Sequence, residues 1–233
     1  MFKTRSLKPE RIDTGDYTPD EYTVFLREIA FINQYLGDNR ALKKTLLNEI
    51  ELRDLRNFSV LDVGAGSGEL LRSIAKFADD SDRKAQLAGI DLNEISVTAM
   101  RTESRDFPGI ISVRGDAMLL PFADNSFDYT ISSLFFHHLT DDRIVAVLKE
   151  MRRVARCGIY VIDLHRHPTA YLLYKIFCVM FRISPLVRQD GALSILKGFQ
   201  QRELRNLSGI SREKIERIFP FRLVLSGKKI ANN

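Results

Sequence analysis

A glycine-rich stretch at residues 60–71, VLDVGAGSGELL, constrains the fold more than any other part of this sequence. The apolar residues before the glycines favour a buried strand, and those after them repeat with helical spacing. Gly64, Gly66 and Gly68 separate the two patterns. Glycine permits a tight turn and lets a ligand approach the backbone without a Cβ in the way. The stretch therefore predicts a strand, a ligand-binding loop and a helix N-terminus in succession, with a purely structural turn as the alternative.

Strand-like and helix-like segments alternate along the rest of the chain. Short apolar runs such as QLAGIDL, FDYTISSLFF and CGIYVIDL are each followed or preceded by a helical pattern. This alternation predicts parallel βαβ units, whose strands are apolar throughout because helices cover both faces. The last segment, KIERIFPFRLVLSGKK, has too few residues around Pro220 for a parallel crossover. It predicts an antiparallel hairpin at one edge of the sheet.

The region before the glycine stretch predicts a helical N-terminal extension, residues 1–57, on a core that spans residues 58–233. Apolar residues recur at helical spacing from Pro19 to Arg56, with a break at Gly37 and Asp38. The 233 residues contain no visible linker or repeat, so we expect a single domain. The polar start MFKTRSLKPERID is not a signal peptide, and the two cysteines do not form a disulfide framework. These features predict a cytoplasmic protein.

The charge is distributed unevenly along the chain. Residues 1–148 hold 18 Lys/Arg and 24 Asp/Glu, whereas residues 149–233 hold 17 and 6. A basic half attracts anionic substrates, nucleic acid or a membrane surface, and it is equally compatible with a solvated face. The basic residues are spread singly with little aromatic interleaving, which makes nucleic acid an unfavoured partner.

Two acidic residues indicate which cofactor the loop binds. A dinucleotide fingerprint requires its third glycine at position 69, where this chain has Glu69, whose carboxylate would repel a pyrophosphate. S-adenosylmethionine (SAM) carries no phosphate, so this departure favours SAM over NAD. Asp91 ends the second strand segment, where a ribose-binding acid is expected. By itself Asp91 is equally explained as a cap of the helix that begins near Asn93.

A third stretch, GDAMLLPFADNSFDYTISSLFFHHL, completes a set of polar residues at strand ends. Asp116 and Ala117 are expected to contact an adenine ring at the end of the third strand. The fourth strand brings Ser132 and Ser133 to the carboxyl edge, where open α/β sheets bind their ligands.

These three stretches resemble the successive cofactor motifs of class I, Rossmann-like SAM-dependent methyltransferases, and the similarity is close over residues 58–140. The resemblance implies an α/β fold with an open, mostly parallel Rossmann-like sheet and a C-terminal antiparallel strand. It also implies the contacts of SAM with this chain. The implied cofactor-binding residues are Asp62, Gly64, Ala65, Gly66 and Gly68 around the methionine part, Asp91 and Leu92 at the ribose and adenine, Asp116, Ala117 and Met118 at the adenine, and Ser132 and Ser133 near the sulfonium and amino group.

The flanking segments are more loosely similar to a narrower group. TPDEYTVFLREIAFINQYLG before the core, and VIDLHR and LVRQDGALSILKGF after it, resemble bacterial small-molecule methyltransferases, some of which are associated with type III polyketide synthases. This resemblance implies a small-molecule acceptor without fixing its identity.

Four histidines supply candidates for acid–base chemistry. His137 and His138 follow the fourth strand, and His165 and His167 follow the fifth, so both pairs are expected at the cofactor cleft. Histidine is the usual base near neutral pH, and we name His138, His165 and His137 as candidate catalytic residues. The alternatives are that His138 packs or caps a helix and that His165 bonds to Asp163. The spacings fit no compact zinc motif, so no metal site is predicted.

The segment after the fifth strand is expected to cover the acceptor. Arg166 is a candidate to bind a carboxylate, phosphate or phenolate, or else only a surface acid. An apolar helix over residues 169–184 is predicted to act as a lid, although a core helix or a dimer face would have the same pattern. It is too short and too charged for a membrane span. The aromatic residues predicted to line the pocket are Tyr17, Tyr22 and Phe25 on one side and Tyr171, Tyr174, Phe177 and Phe181, with Cys178, on the other.

The sequence therefore predicts a monomeric or homodimeric enzyme that transfers a methyl group from SAM to a small apolar or phenolic metabolite, at oxygen. Two alternatives stay open at this point: a methyltransferase of RNA or protein that uses the basic half, and a SAM-binding protein without catalysis.

Overall fold

The structure is a computed structural model that describes residues 2–209 and 213–228, with the side chains of residues 34–36 excepted. Seven strands form one sheet in the order β3-β2-β1-β4-β5-β7-β6. The strands are β1 Asn57–Val63, β2 Lys84–Asp91, β3 Ile110–Arg114, β4 Phe127–Ser133, β5 Ala155–Leu164, β6 Lys214–Ile218 and β7 Arg222–Lys228.

The helices lie before, between and after these strands. They are α1 Arg11–Thr14, α2 Pro19–Leu36, α3 Asp38–Leu42, a π-helical turn Lys43–Leu47, α4 Asn48–Leu52, α5 Glu69–Asp80, α6 Glu94–Glu103, a 3-10 turn Phe136–His138, α7 Asp141–Val154, α8 Pro168–Met180, α9 Pro185–Lys197 and α10 Gln201–Ser208. Of the helices described, none is at once long and apolar enough to cross a bilayer.

The sheet confirms the predicted architecture. Strands β1 to β5 pair in parallel, while β7 pairs antiparallel with both β5 and β6. The hairpin predicted around Pro220 therefore forms, with β6 at the sheet edge and β7 inserted beside β5. Between β1 and β4 the order in which successive strands are added to the sheet reverses, from one side of β1 to the other. Open α/β sheets bind ligands at such a reversal, beyond the carboxyl ends of the strands.

Both faces of the sheet are buried, as the apolar strands predicted. Alternate residues of β1 join different core clusters: Leu61 and Val63 pack on the side of α7, whereas Phe58 and Val60 pack on the side of α5. The strand therefore has no solvent-facing side, and its sequence is apolar at both parities.

The N-terminal extension forms a cover over the carboxyl edge of the sheet. Helix α2 begins at a capping box in which Thr18 and Glu21 satisfy each other's backbone N–H groups, and it ends at Gly37, whose φ of +103° favours glycine. Residues of α2, α8 and α9 share a third apolar cluster separate from the two sheet faces. The cover is therefore held by its own packing.

Two predicted boundaries differ from the structure. Strand β3 ends at Arg114, so residues 115–118 form a loop beyond the strand. The lid helix predicted over residues 169–184 is α8 alone and ends at Met180. Arg182 adopts a positive φ of +51°, and Ser184 is extended before Pro185, which begins α9. The residue before a proline disfavours the helical conformation, which explains the separate second helix.

Candidate active site

One cavity lies where the strand order reverses, between the carboxyl ends of β1 and β4 and the N-terminal cover. Its volume is about 550 Å³. Its lining contains a polar region on the sheet and an apolar region from the cover. Seven of the predicted cofactor residues line it, namely Asp62, Gly64, Ala65, Gly66, Asp91, Leu92 and Ser133.

The glycine loop and the end of β2 are tied together by one carboxylate. Asp91 accepts a hydrogen bond from the Gly66 N–H at 2.9 Å with one oxygen and from the Asn93 N–H at 2.9 Å with the other. Asn93 itself caps α6 by accepting from the Ile95 N–H. Asp91 therefore does not cap the helix, and its carboxylate fixes the loop at the cavity wall.

Gly64 and Gly66 both have a positive φ, but the space beside them differs. A Cβ on Gly64, at a φ of +74°, would collide with the ring of Phe135. Gly66 has a φ of +55°, and its missing Cβ would meet no atom within 4 Å. The space over Gly66 is part of the cavity, so a side chain there would occupy the volume that a ligand needs.

Asp62 presents an unsatisfied carboxyl oxygen at the same wall. Its side chain is buried, and Oδ1 has no hydrogen-bond partner among the described residues. Burial, and then the charge of Asp91, raises the pKa of Asp62 to about 7. A buried acceptor without a partner costs free energy unless a ligand supplies a donor. A ligand with a cationic or N–H-bearing group would supply the donor that Oδ1 of Asp62 lacks.

The remaining predicted cofactor residues do not line the cavity. Gly68 begins α5 and packs against Met100, so its role is to permit the turn. Asp116 is exposed and accepts from the Met118 N–H at 2.9 Å, which places 115–118 on the outer rim. Ser132 is fully buried and donates its hydroxyl to the Val63 carbonyl at 2.7 Å. That bond joins β4 to β1 and turns Ser132 away from the cavity.

His137 is the histidine with the most ordered surroundings. Its ring is buried, and Nδ1 lies 2.8 Å from the Oδ1 of Asp163, while Asp163 Oδ2 accepts from the His137 backbone N–H at 3.2 Å. Burial alone would raise the pKa of Asp163, but the His137 ring and the Leu164 N–H hold it below its usual value. An ionised Asp163 keeps the ring proton on Nδ1 and leaves Nε2 free to accept. The expected bond between His165 and Asp163 was wrong, because Asp163 pairs across to β4.

His138 belongs to a charged network with the N-terminal segment. Its Nδ1 lies 2.8 Å from Asp13, which also receives the Lys197 ammonium at 2.7 Å. Burial opposes protonation, but the carboxylates of Glu10 and Asp13 outweigh it and raise the pKa of His138. A ring with a raised pKa is suited to pair with these carboxylates as a cation, and it is less suited to take a proton from an acceptor.

The same network contains three side chains at metal-ligand spacing. Glu10, His137 and His138 each offer an atom within 4.8 Å of the others. A metal ion at this position would need the Glu10 carboxylate as a ligand. The Lys197 ammonium already lies 3.1 Å from Oε1 of that carboxylate. This arrangement opposes a second cation at that position.

His165 and Arg166 lie in different surroundings although they are neighbours. His165 lines the cavity, and burial followed by the charge of Arg217 lowers its pKa, so it is neutral at physiological pH. Arg166 is fully buried and donates to the carbonyls of Phe2 and Gly198 and to the Glu203 carboxylate. Arg166 therefore does not reach the cavity, because it anchors the N-terminal segment to β5.

The apolar lining differs in part from the predicted one. Tyr22 and Phe25 line the cavity, and Tyr17 stacks on Tyr22 at 4.7 Å without lining it. On α8 the lining residues are Ala170, Leu173 and Tyr174. Tyr171, Phe177, Phe181 and Cys178 lie outside, and the two phenylalanines pack on Phe31 of α2. The contact between α2 and α8 therefore determines which side of α8 faces the cavity.

Sequence reasoning missed the N-terminal contribution to the site. Glu10, Asp13 and Lys197 lie next to His138, yet Lys197 is 184 residues from Asp13. Residues 1–18 have no periodicity that predicts their place, and only the acid pair in PERID was available as a signal.

Comparison with known proteins shows what the central part of the chain resembles. Residues 60–158 match the family model described as a methyltransferase domain. The matched range contains the glycine loop, Asp91 and both histidines of the 3-10 turn. This part of the chain therefore resembles a methyltransferase domain. The unsatisfied Asp62 oxygen and the open space over Gly66 both lie in the matched range, and they fit a ligand with a donor group at this wall.

Longer stretches of the chain are similar to one group of relatives and to solved structures. A demethylmenaquinone methyltransferase of Staphylococcus aureus (strain MRSA252) is 27% identical over 145 residues, which are 62% of this chain and 57% of the relative. The chain thus spans just over half the length of that relative. A SAM-dependent methyltransferase from Aquifex aeolicus superposes with a TM-score of 0.64 at 17% identity, over 92% of this chain and 100% of the other. The magnesium protoporphyrin IX methyltransferase of Synechocystis PCC 6803 has a TM-score of 0.65 at 16% identity, over 95% and 100%. The two structures show that this chain shares their fold.

Proposed function

We propose that this chain is a SAM-dependent methyltransferase, which transfers a methyl group from SAM to a hydroxyl oxygen of a small apolar or phenolic metabolite. The observation that carries the proposal is that a single cavity joins the cofactor wall, a histidine whose Nδ1 pairs with a buried carboxylate, and an apolar cover. The named acceptor of the Staphylococcus aureus relative, demethylmenaquinone, is also a small molecule.

The apolar cover supports a small acceptor over a polymer. Tyr22, Phe25 and Leu26 of α2 and Leu173 and Tyr174 of α8 line the cavity on the side opposite the glycine loop. Ligand sites of this kind bury most of a small molecule and fix it with a few polar groups. RNA or protein would have to enter beneath α2, which is packed into an apolar cluster of its own.

His137 supports the choice of oxygen. When bound, SAM supplies an electrophilic methyl group on its sulfonium. With Nδ1 held by Asp163, Nε2 of His137 accepts the hydroxyl proton of the acceptor, which raises the electron density on its oxygen. The buried, ionised Asp163 then stabilises the protonated ring, as in other histidine–aspartate pairs. The cover excludes water and holds the acceptor near the cofactor wall, which is the largest contribution to a displacement reaction.

His137→Asn tests this proposal. The variant should lose about 10²–10⁴-fold in turnover, because the general base is absent, while its affinity for S-adenosylhomocysteine stays near wild type. Asp163→Asn should lose turnover as well, because an amide favours the wrong ring tautomer. Turnover is measured as S-adenosylhomocysteine formed with a panel of phenols, quinols and aliphatic alcohols.

His167→Asn is the matched control. His167 caps α8 by accepting from the Thr169 N–H and stacks on Phe221, and asparagine is an effective cap, so turnover should be unchanged. Full turnover in His137→Asn would remove His137 as the base and leave positioning as the mechanism. Absence of turnover with every small acceptor, combined with turnover on RNA or protein, would overturn the small-molecule proposal.

A further inference from the structure

The outward face of α8 is apolar where a helix on a protein surface is ordinarily polar. Leu172, Ile176, Val179 and Met180 are 59%, 49%, 70% and 66% exposed. Their spacing of four, three and one residues places them on one stripe of the helix. The opposite stripe is buried in the cover and consists of Ala170, Tyr174 and Cys178.

Two neighbours enlarge this stripe into a continuous patch. Leu173 is 51% exposed, and Phe181, directly after the helix, is 47% exposed. Scattered exposed apolar residues are normal, but five on one helix, with a sixth directly after it, mark an interaction surface. We call these six residues, 172, 173, 176, 179, 180 and 181, the α8 patch.

The α8 patch is flanked by three cations. Lys175 is on the helix itself, Arg182 follows it, and Arg188 on α9 is near enough to act on the Cys178 thiol. Residues 164–189 contain no Asp or Glu. Within the described residues none of the three cations forms a salt bridge. Glu28 of α2 lies close, but its carboxylate is engaged by the Ser184 N–H and hydroxyl.

We propose that the α8 patch docks on the surface of an anionic phospholipid bilayer, with α8 lying in the plane of the interface. An apolar stripe flanked by Lys and Arg is what an interfacial helix requires, since the stripe enters the acyl boundary while the cations meet lipid phosphates. The 13 residues of α8 extend about 20 Å, less than the thickness of the hydrocarbon core, so the helix lies on the bilayer without crossing it.

A second copy of the chain fits this patch less well. In a two-fold dimer the same surface meets itself, so Lys175, Arg182 and Arg188 would be brought towards their own counterparts. Two acids lie near these cations, Glu28 and Asp190, and each is already engaged by other donors, Glu28 by Ser184 and Asp190 by the backbone N–H groups of Arg11 and Ile12. A negatively charged lipid surface supplies the charge that neutralises the cations.

Docking also explains how an apolar acceptor reaches the cavity. Leu173 belongs to the α8 patch and lines the cavity as well, so the patch continues into the cavity wall. A bilayer under α8 places the acceptor site at the membrane surface, where an apolar acceptor is concentrated. This consequence rests on the proposed function, whereas the docking itself does not.

Vesicle sedimentation with the full chain tests the docking without any acceptor. The wild type should sediment with phosphatidylcholine vesicles that contain about 30% phosphatidylglycerol, and hardly with phosphatidylcholine alone. Ile176→Ser/Val179→Ser should weaken binding at least about tenfold, because the apolar stripe is lost. Lys175→Glu/Arg188→Glu should weaken it by about fivefold or more for each charge, with a reduced salt dependence.

Leu52→Ser/Val145→Ser is the matched control, since it removes two exposed apolar residues elsewhere and should bind as the wild type does. All variants should keep the thermal shift with S-adenosylhomocysteine, which shows that they are folded. Absence of wild-type binding, or equal binding by the Ile176→Ser/Val179→Ser variant, would overturn the docking. So would a homodimer, seen by light scattering, that this variant dissociates. Failure of methyl transfer with every acceptor would leave the vesicle result unaffected.

Discussion

Among single residues, Asp62 is a buried carboxyl of the cavity wall whose ionisation opposes folding. Its carboxyl is buried and its pKa is raised to about 7, first by burial and then by Asp91. A raised carboxyl pKa means that the folded state holds a proton which the unfolded state releases above pH 4. Between pH 4 and pH 7 this group therefore lowers stability as the pH rises.

Asp62→Asn should remove that dependence, because asparagine has nearly the same shape and no proton to lose. Between pH 5 and pH 8 the wild type should lose about 2–3 kcal/mol more of its free energy of unfolding than the variant, as measured by denaturant titration without SAM. The variant should also bind SAM more weakly, because the wall loses its anionic acceptor.

Asp79→Asn, on the exposed end of α5, is the control and should behave as the wild type does. The comparison is between variants because Glu69 and Asp91 also have raised pKa values, and they contribute with the same sign. Parallel pH curves for Asp62→Asn and wild type would contradict the assignment of this proton.

At the scale of an element, the N-terminal segment is fixed to the cover by one buried carboxylate. Asp190 of α9 accepts from the backbone N–H groups of Arg11 and Ile12, both at 3.1 Å. Arg11 begins α1, and Ile12 and Asp13 within it line the cavity. The position of α1 over the acceptor therefore depends on a contact between segments 178 residues apart.

Asp190→Ala should loosen α1 and open the acceptor side of the cavity. Two N–H groups lose their acceptor, at about 1–3 kcal/mol each where they stay buried. We expect a higher KM for the acceptor, with little change in S-adenosylhomocysteine affinity, because the cofactor wall lies on the sheet. Steady-state kinetics and calorimetry measure the two effects. Asp80→Asn, on the exposed end of α5, is the control, and an unchanged acceptor KM in Asp190→Ala would contradict the role given to α1.

At the scale of the whole molecule, ligand binding should appear as thermal stabilisation, because the cavity joins the sheet to its cover. At a hundredfold excess over its dissociation constant, S-adenosylhomocysteine should add about 2.7 kcal/mol. For a chain of this size that corresponds to a rise in melting temperature of roughly 5–10 °C. NADH should give no shift, because Glu69 lies at the cavity wall where a pyrophosphate would meet it. The opposite pattern would refute the cofactor assignment.

From the sequence we could predict the strands, the glycine loop and the acids at the strand ends. These features follow from short-range chemistry: apolar runs predict buried strands, and glycine is required where the backbone adopts a positive φ or must leave room, as at Gly64 and Gly66. The closing hairpin was predictable for the same reason, since the few residues around Pro220 exclude a crossover.

Which side chains face the cavity could be read only from the tertiary structure. Arg166 and Ser132 were candidates by their place at strand ends, yet each is held elsewhere by a partner distant in sequence, Phe2 in one case and Val63 in the other. His137 differs from His138 only through Asp163 and Asp13, which no local pattern pairs with them. Orientation depends on contacts between distant segments, and a sequence pattern records only the period of a segment, not the neighbour it meets.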